Sequence, residues 1–377
     1  MNVRQFSGLL CVPLLWGAFA GTPAGAPREI LIGQVVGYKS ATAKQANETR
    51  LGASVLIDAV NARGGVNGNQ LRLVTADDHY KAEETVKAVA SMVGKVSALL
   101  PIIGSDNYHQ LIKSGVLDKA TLPIVGVIPS NKSMRTTLHK NIFHFKGGDP
   151  EQLEKIIEQL TAVGIKNIAV IARDNPSSKE GVETIQDALK HRNAPAAAVV
   201  IYDVTAKDFG RQVKFMKEKQ PDAIILLGIT QAIAAVTKEL KEASVSALLY
   251  TMGNADPELI WKVVGPQARG FVISQVFPNV NKKTLPLIKT FREDFAKYSK
   301  TTEQPTPYNL EGYIAARLIV EAMRKSKDSS PEGVKRGLEQ MRKFDLGGYI
   351  VDFSPTNHVG SNWVDLAILS RSGVLVY

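Results

Sequence analysis

Residues 29–37, EILIGQVVG, form an apolar run of strand length with no polar face. Such a run fits a strand covered on both sides rather than one with a wet face. Further runs rich in Val, Ile and Leu recur at 71–76, 98–103, 123–128, 167–172, 198–203, 222–228, 247–251 and 270–276. Between them lie longer segments with helical spacing. Leu153, Ile156, Ile157 and Leu160 follow i, i+3, i+4, i+7, and Phe209, Val213 and Met216 keep a similar stripe. Asp149-Pro150 reads as an N-cap with a first-turn proline and Gly164 as a stop, which predicts a helix over 150–163. Thr205 and Asp208, three apart ahead of Phe209, read as a capping arrangement. Strands alternating with helices imply parallel sheets with helices on both faces. The pattern runs once from 29 to about 146 and again from about 147 to 276, with no sequence identity between the halves. Segments 284–299, 308–325 and 331–342 then read as helices. Segments 348–353 and 363–377 read as two or three strands with a turn at Asn357-His358-Val359-Gly360. Ligands of open parallel sheets bind beyond the carboxyl ends of the strands. Two such sheets in tandem therefore predict a cleft between two lobes.

The chain has 377 residues, 44% hydrophobic and 22% charged. That is enough to bury a large core without disulfide or metal support, and the composition excludes disorder and collagen. Arg4, an apolar core from Gly8 to Ala20 and a small-residue segment after it have the layout of a secretory signal over residues 1–20. Ala18-Phe19-Ala20 places cleavage after Ala20, and Ala24-Gly25-Ala26 is a second option with Pro27 at the following position. The apolar core is shorter than the ~20 residues of a membrane span. No membrane insertion of the mature chain is expected. Cys11, the only cysteine, lies inside that core, so the mature chain carries no disulfide framework. The net charge is +10, or +9 once Arg4 is removed. Its basic residues are scattered, with Lys282-Lys283 about the densest pair, and read as solvated surface. A nucleic-acid partner is not expected.

Several motifs converge. The opening 29–37, Leu51-Gly52-Ala53 and 61–68 (NARGGVNG) come in order. They are followed by 71–78 (LRLVTADD), 98–105 (ALLPIIGS), 203–228 and the pair Tyr308 and Tyr313. Together, over roughly residues 29–370, they resemble the periplasmic substrate-binding proteins of ABC transporters, in the leucine/isoleucine/valine-binding family. The resemblance implies an α/β type I periplasmic-binding-protein fold with two doubly wound lobes joined by a three-stranded hinge. It implies a small polar solute (amino acid, amide or small carboxylate) and an ABC permease at the inner membrane as partners, a periplasmic location, and no cofactor. An N-terminal lobe of 29–146 plus 277–346 and a C-terminal lobe of 147–276 plus 347–377 are expected, with crossings near Lys146-Gly147, Val276-Phe277 and Gly347-Gly348. A module of the same fold feeding a membrane sensor fits the same residues.

The strand-end loops supply the expected ligand contacts. The family holds a ligand carboxylate near Ser105, where Ser105 or Asp106 is otherwise a helix cap, and Asp106 is also suited to an ammonium. Ser130 matches a hydroxyl that contacts ligand in the family. Ser178 stands where the family usually has an aromatic followed by glycine. Tyr38, Thr230, Asn254 and Tyr308 complete the expected set. Amino-acid-binding members carry an acid near Gly253-Asn254, and here the nearest is Asp256. An unpaired buried ammonium costs several kcal/mol, so an uncharged amide, an aromatic acid or another small carboxylate fits equally well.

Enzymatic readings find little support. Gly64, Gly65 and Gly68 follow a helix and precede a strand, the reverse of a phosphate-binding loop, and read as a tight turn. The first strand ends without G-x-G-x-x-G, so a nicotinamide or flavin is unsupported. G-x-S-x-G, H-E-x-x-H and a Walker loop are absent from the sequence. The six histidines are dispersed, and no metal site is expected. Asp77-Asp78-His79 reads as the end of a strand and the cap of a helix over 81–94.

Overall fold

The computed structural model describes Met1 and residues 29–377 apart from Pro129. The expected signal segment over residues 1–20 lies outside the described residues. The first sheet has five parallel strands. In spatial order they are β2 (Gln70–Asp77), β1 (Glu29–Val36), β3 (Ala98–Leu99), β5 (Ile124–Val125) and β7 (Ile142–Phe143). β1 pairs with β2 along its whole length, from Glu29 opposite Gln70 to Val36 opposite Asp77.

Two runs expected as single strands, 98–103 and 123–128, are each split. Pro101 lacks an N–H for the ladder, and Gly126 adopts φ 106°, so both strands break at the same level. Beyond the break they continue as a separate parallel pair, β4 (Ile102–Ile103) and β6 (Val127–Ile128). The loop that follows β6 brings Ser130 against the start of the second lobe, where the Asp149 N–H donates to the Ser130 carbonyl at 2.9 Å.

The second sheet has seven strands. In spatial order they are β16 (Leu375–Val376), β15 (Asp365–Leu369), β12 (Val272–Gln275), β11 (Leu248–Thr251), β10 (Ala223–Leu227), β8 (Ile168–Arg173) and β9 (Ala198–Tyr202). The chain's last two strands run antiparallel there, β15 against β12 and β16 against β15. A hairpin of β13 (Phe344–Asp345) and β14 (Ile350–Val351) stands apart.

Each sheet is covered on both faces, which is why its strands lack a polar side. On the first, Ile32, Ala98 and Val125 pack with Leu56, Phe291 and Tyr313 from the helices Ala43–Asn61, Pro286–Tyr298 and Pro307–Ser326. On its other face, Val35, Leu99 and Ile124 pack with Val89 and Leu111 from Ala82–Met92 and Ser105–Lys113. The second sheet has equivalent layers. Leu153 and Ile185 lie on one side, and Met216, Ile233 and Ile260 on the other.

The chain passes between the sheets three times. The first two passages follow Phe145 and Gln275. The third does not fall at Gly347-Gly348. Tyr349, Val351 and Phe353 belong to the first core, and just beyond β7 the His144 N–H donates to the His358 carbonyl while the Gly360 N–H donates to the His144 carbonyl. The passage therefore lies at about 361–364, just before β15. The reason is packing: the apolar run 349–353 was legible, but its partners Phe143, Phe145 and Phe277 are remote in sequence. Two residues stitch the passages together. The Tyr349 hydroxyl donates to the carbonyls of Phe145 (2.9 Å) and Val276 (3.3 Å). The Arg135 guanidinium donates to the carbonyls of Lys146 (2.9 Å) and Ser361 (3.5 Å).

Candidate functional site

Beside the passages, the strand ends of the two lobes line a cavity. From the first lobe come Ser130 after β6, Lys146 and, from helices, Gln45, Tyr308 and Glu311. From the second come Asp149 and Gln152 on the helix Asp149–Ala162, Gly253 and Asn254 after β11, and Gln275 at the end of β12.

Its floor is charged and buried. Lys146 is 9% exposed, Asp149 8% and Glu311 2%. Lys146 Nζ meets Glu311 Oε1 at 2.5 Å. Burial nevertheless pushes the Glu311 carboxyl up, opposed by that lysine. Asp149 was expected to cap its helix, and it does not. Gly148 is the N-cap, and Glu151 Oε2 accepts the Gly148 N–H at 2.8 Å. The capping position shifted by one residue because glycine tolerates it and Glu151 can reach back. Asp149 Oδ1 is left with a 3.4 Å bond from the Ser130 N–H. Burial pushes the Asp149 carboxyl up to about 6, against the pull of that N–H, Lys146 and Arg135. His144 Nδ1 stands 3.3 Å from the Ser130 hydroxyl. Burial and the nearby Arg135 bring that imidazole down to about 3, so it is neutral at physiological pH. Gln152 Oε1 accepts from the Gly253 N–H and the Ser274 hydroxyl, both at 2.8 Å, which fixes the orientation of its amide.

Of the expected ligand residues, Ser130, Asn254 and Tyr308 line this cavity. Tyr308 reaches across it, its hydroxyl donating to the Asn254 carbonyl at 3.0 Å. The other five are not among its lining residues. Ser105 opens the helix Ser105–Lys113 without capping it, and Asp106 beside it is exposed. The Tyr38 hydroxyl donates to Gln34 Oε1 at 2.9 Å, and Arg50 stands over its ring. The Ser178 N–H donates to Asn175 Oδ1 in a cap of Pro176–His191. Thr230 Oγ1 accepts the Asp256 N–H at 3.1 Å. Asp256 in turn pairs with Lys44 of the first lobe at 2.8 Å rather than entering the cavity. Sequence reasoning missed Gln45, Lys146, Asp149, Gln152, Gln275 and Glu311. The available signal was Lys146-Gly147-Gly148-Asp149, opposite charges flanking two glycines at a passage between lobes. Glu311 gave another, a carboxylate within the apolar run of its helix.

The loop residues also have local roles. Gly64, Gly65 and Gly68 all have positive φ, as a tight turn requires. Asp78 accepts the Tyr80 N–H and the Thr85 hydroxyl, which pins the end of β2 to the following helix without capping it. Thr205 bonds Asp203, and Asp208 accepts the Gly210 N–H, so the expected pairing of Thr205 with Asp208 does not form. Among the described residues no group of three or more His, Cys, Asp or Glu is placed to hold a metal. Among them no helix is long and apolar enough to cross a membrane.

Two parallel-sheet lobes, three passages and a polar cavity between strand ends define a two-lobed solute-binding protein of the type I periplasmic fold. The chain belongs to the family described as Periplasmic binding protein, whose pattern matches residues 29–371. It is 26% identical to an extracellular ligand-binding receptor from Verminephrobacter eiseniae, with a TM-score of 0.86 over 93% of this chain and 100% of that one. It is 28% identical to a substrate-binding periplasmic protein from Ralstonia solanacearum, with a TM-score of 0.83 over 92% and 99%. In sequence it is 21% identical to the Leu/Ile/Val-binding protein homolog 7 of Brucella abortus (strain 2308), over 94% of each chain. The family and these relatives are binding proteins, not enzymes.

Proposed function

We propose that this chain is the solute-binding component of an ABC importer, exported to the periplasm, which captures a small polar solute by closing its two lobes over it. The observation that carries the reading is the cavity itself. Its walls come from both lobes, and it lies beside the three passages that permit rotation. A solute touching both walls favours the closed state by the difference between its open-state and closed-state affinities. The closed form then docks on a membrane permease, which opens it and takes the solute. The name of the Brucella relative supports an amino acid or a similar small molecule as cargo. Ser130, Asn254 and Tyr308 are proposed to contact it.

A thermal-shift screen of the mature protein against amino acids, amides and small carboxylates tests this. At 100 times its dissociation constant, the cognate solute adds about 2.7 kcal/mol to stability. X-ray scattering with that solute is expected to show a more compact particle. A solute chemically converted during the incubation would refute the reading.

A further inference from the structure

We propose that Asp149 is the counter-ion for a protonated amine on the bound solute, so that the site selects amine-bearing solutes. The proposal rests on the interlobe cavity being the solute site.

Asp149 lines the cavity and is more than nine-tenths buried. An aspartate in the first turn of a helix usually serves the helix itself. Here Glu151 already holds the Gly148 N–H, and no side chain of Asp149 caps the turn. The nearby cations are committed elsewhere. Lys146 pairs with Glu311 at 2.5 Å, and Arg135 pairs with Glu151 at 3.5 Å while bonding the Lys146 carbonyl. Among the described residues the one hydrogen bond to the Asp149 carboxylate is the long one from the Ser130 N–H, on Oδ1. Among the described residues Oδ2 has no hydrogen-bond or ion-pair partner.

Among the described residues the ionisable groups lining the cavity are Lys146, Asp149, Glu311 and the Tyr308 phenol, which burial keeps neutral, so one cation faces two carboxylates. The uncompensated charge is that of Asp149. A carboxylate buried without a counter-charge is costly, and a ligand ammonium removes that cost on binding. An amine-free carboxylate would instead set a like charge beside it. A second group completes the pattern. With Gln152 Oε1 taken by Gly253 and Ser274, the NH₂ of Gln152 has no hydrogen-bond partner among the described residues. It donates to an oxygen acceptor on the solute. The chemistry selected is therefore an amine together with a carbonyl or carboxylate oxygen. The acid absent at Gly253-Asn254 is replaced by one from the adjoining helix.

Isothermal titration at pH 7.5 tests the proposal with the common amino acids and 4-aminobutyrate, each matched with the carboxylic acid that lacks its amine. The tightest binder is expected to carry an amine and to bind ~100-fold tighter than its amine-free counterpart. Asp149→Asn is expected to weaken that binder ~30-fold or more, while the unliganded variant melts at or above the wild-type temperature. An amine-free acid binding as tightly as its amine, or an Asp149→Asn variant with unchanged affinity, overturns the assignment and leaves solute capture standing. Failure of every compound of both kinds to bind the wild-type protein would count against both.

Discussion

Asp149 carries a pH signature that separates it from its neighbours. Its carboxyl titrates at about 6 in the folded protein and at 3.8 when unconstrained. Between those values the native state holds the extra proton, so native stability falls as pH rises through the window and the whole cost is present above about 6. A shift of about two units is on the order of 3 kcal/mol. His144 acts in the opposite sense. Its folded value of about 3 lies below the usual 6.5, so its contribution is lost as pH falls through the range between. The difference between wild type and Asp149→Asn isolates the aspartate from the histidine and from Lys146, Arg135, Glu151 and Glu311 around it. Urea melts are expected to show the variant as the more stable protein at pH 7.5, with the gap closing towards pH 4. A gap independent of pH refutes the assignment. None of this was legible beforehand, because Asp149-Pro150 looks like an ordinary helix start. The residue became available only when Gly148 and Glu151 took over the capping.

At the scale of elements, the first lobe is held by two helices that meet backbone to backbone. A Cβ on Gly312 would come 1.9 Å from the Thr49 carbonyl oxygen, and one on Gly52 would come 1.8 Å from that of Asn309. The helices Ala43–Asn61 and Pro307–Ser326 therefore cross at a glycine from each side. Gly312→Ala is expected to cost about 2–3 kcal/mol by overpacking, read as a lower denaturation midpoint with little change in slope. A variant within about 0.5 kcal/mol of wild type would show that the helices can part freely. The Leu51-Gly52-Ala53 motif was visible as sequence, but its purpose depends on a helix more than 200 residues later. The same holds for β3 and β5. Their apolar character marked them as strands, but the split at Pro101 and Gly126 needed both strands side by side.

For the whole molecule, several contacts bridge the two lobes. Lys44 Nζ meets Asp256 at 2.8 Å and Glu258 at 2.7 Å, and the Ser133 N–H reaches Glu180 at 3.0 Å. Lys44 and Glu258 are well exposed, so this cluster contributes about 1 kcal/mol at most. Lys44→Met is expected to weaken solute binding by roughly fivefold at low salt, through faster release. The difference should shrink at high ionic strength, and titrations at two salt concentrations check it. A salt-independent loss would mean that the lysine acts other than by charge. Tyr349 works at the passages instead. Tyr349→Phe removes the one hydroxyl proton that the two carbonyls share and is expected to lower stability by about 1 kcal/mol. Hydrogen exchange should rise around Phe145 and Val276, and unchanged exchange there would dismiss its role as a tie.

Local patterning was enough to establish the alternation of strand and helix, the two doubly wound lobes and the cleft between their strand ends. Apolar runs, proline and glycine act over a few residues, and the sequence displays them directly. Ser130 and Asn254, which line the cavity, follow strands that the apolar runs mark, whereas Tyr308 stands on the helix Pro307–Ser326 and was expected only from the family resemblance. The charged floor and the third passage were settled only in three dimensions. Lys146 and Glu311 lie 165 residues apart, and Lys44 and Asp256 lie 212 apart. Whether such charges meet depends on how the chain returns between its lobes, and electrostatic pairing is fixed by distance in space, not by spacing along the chain.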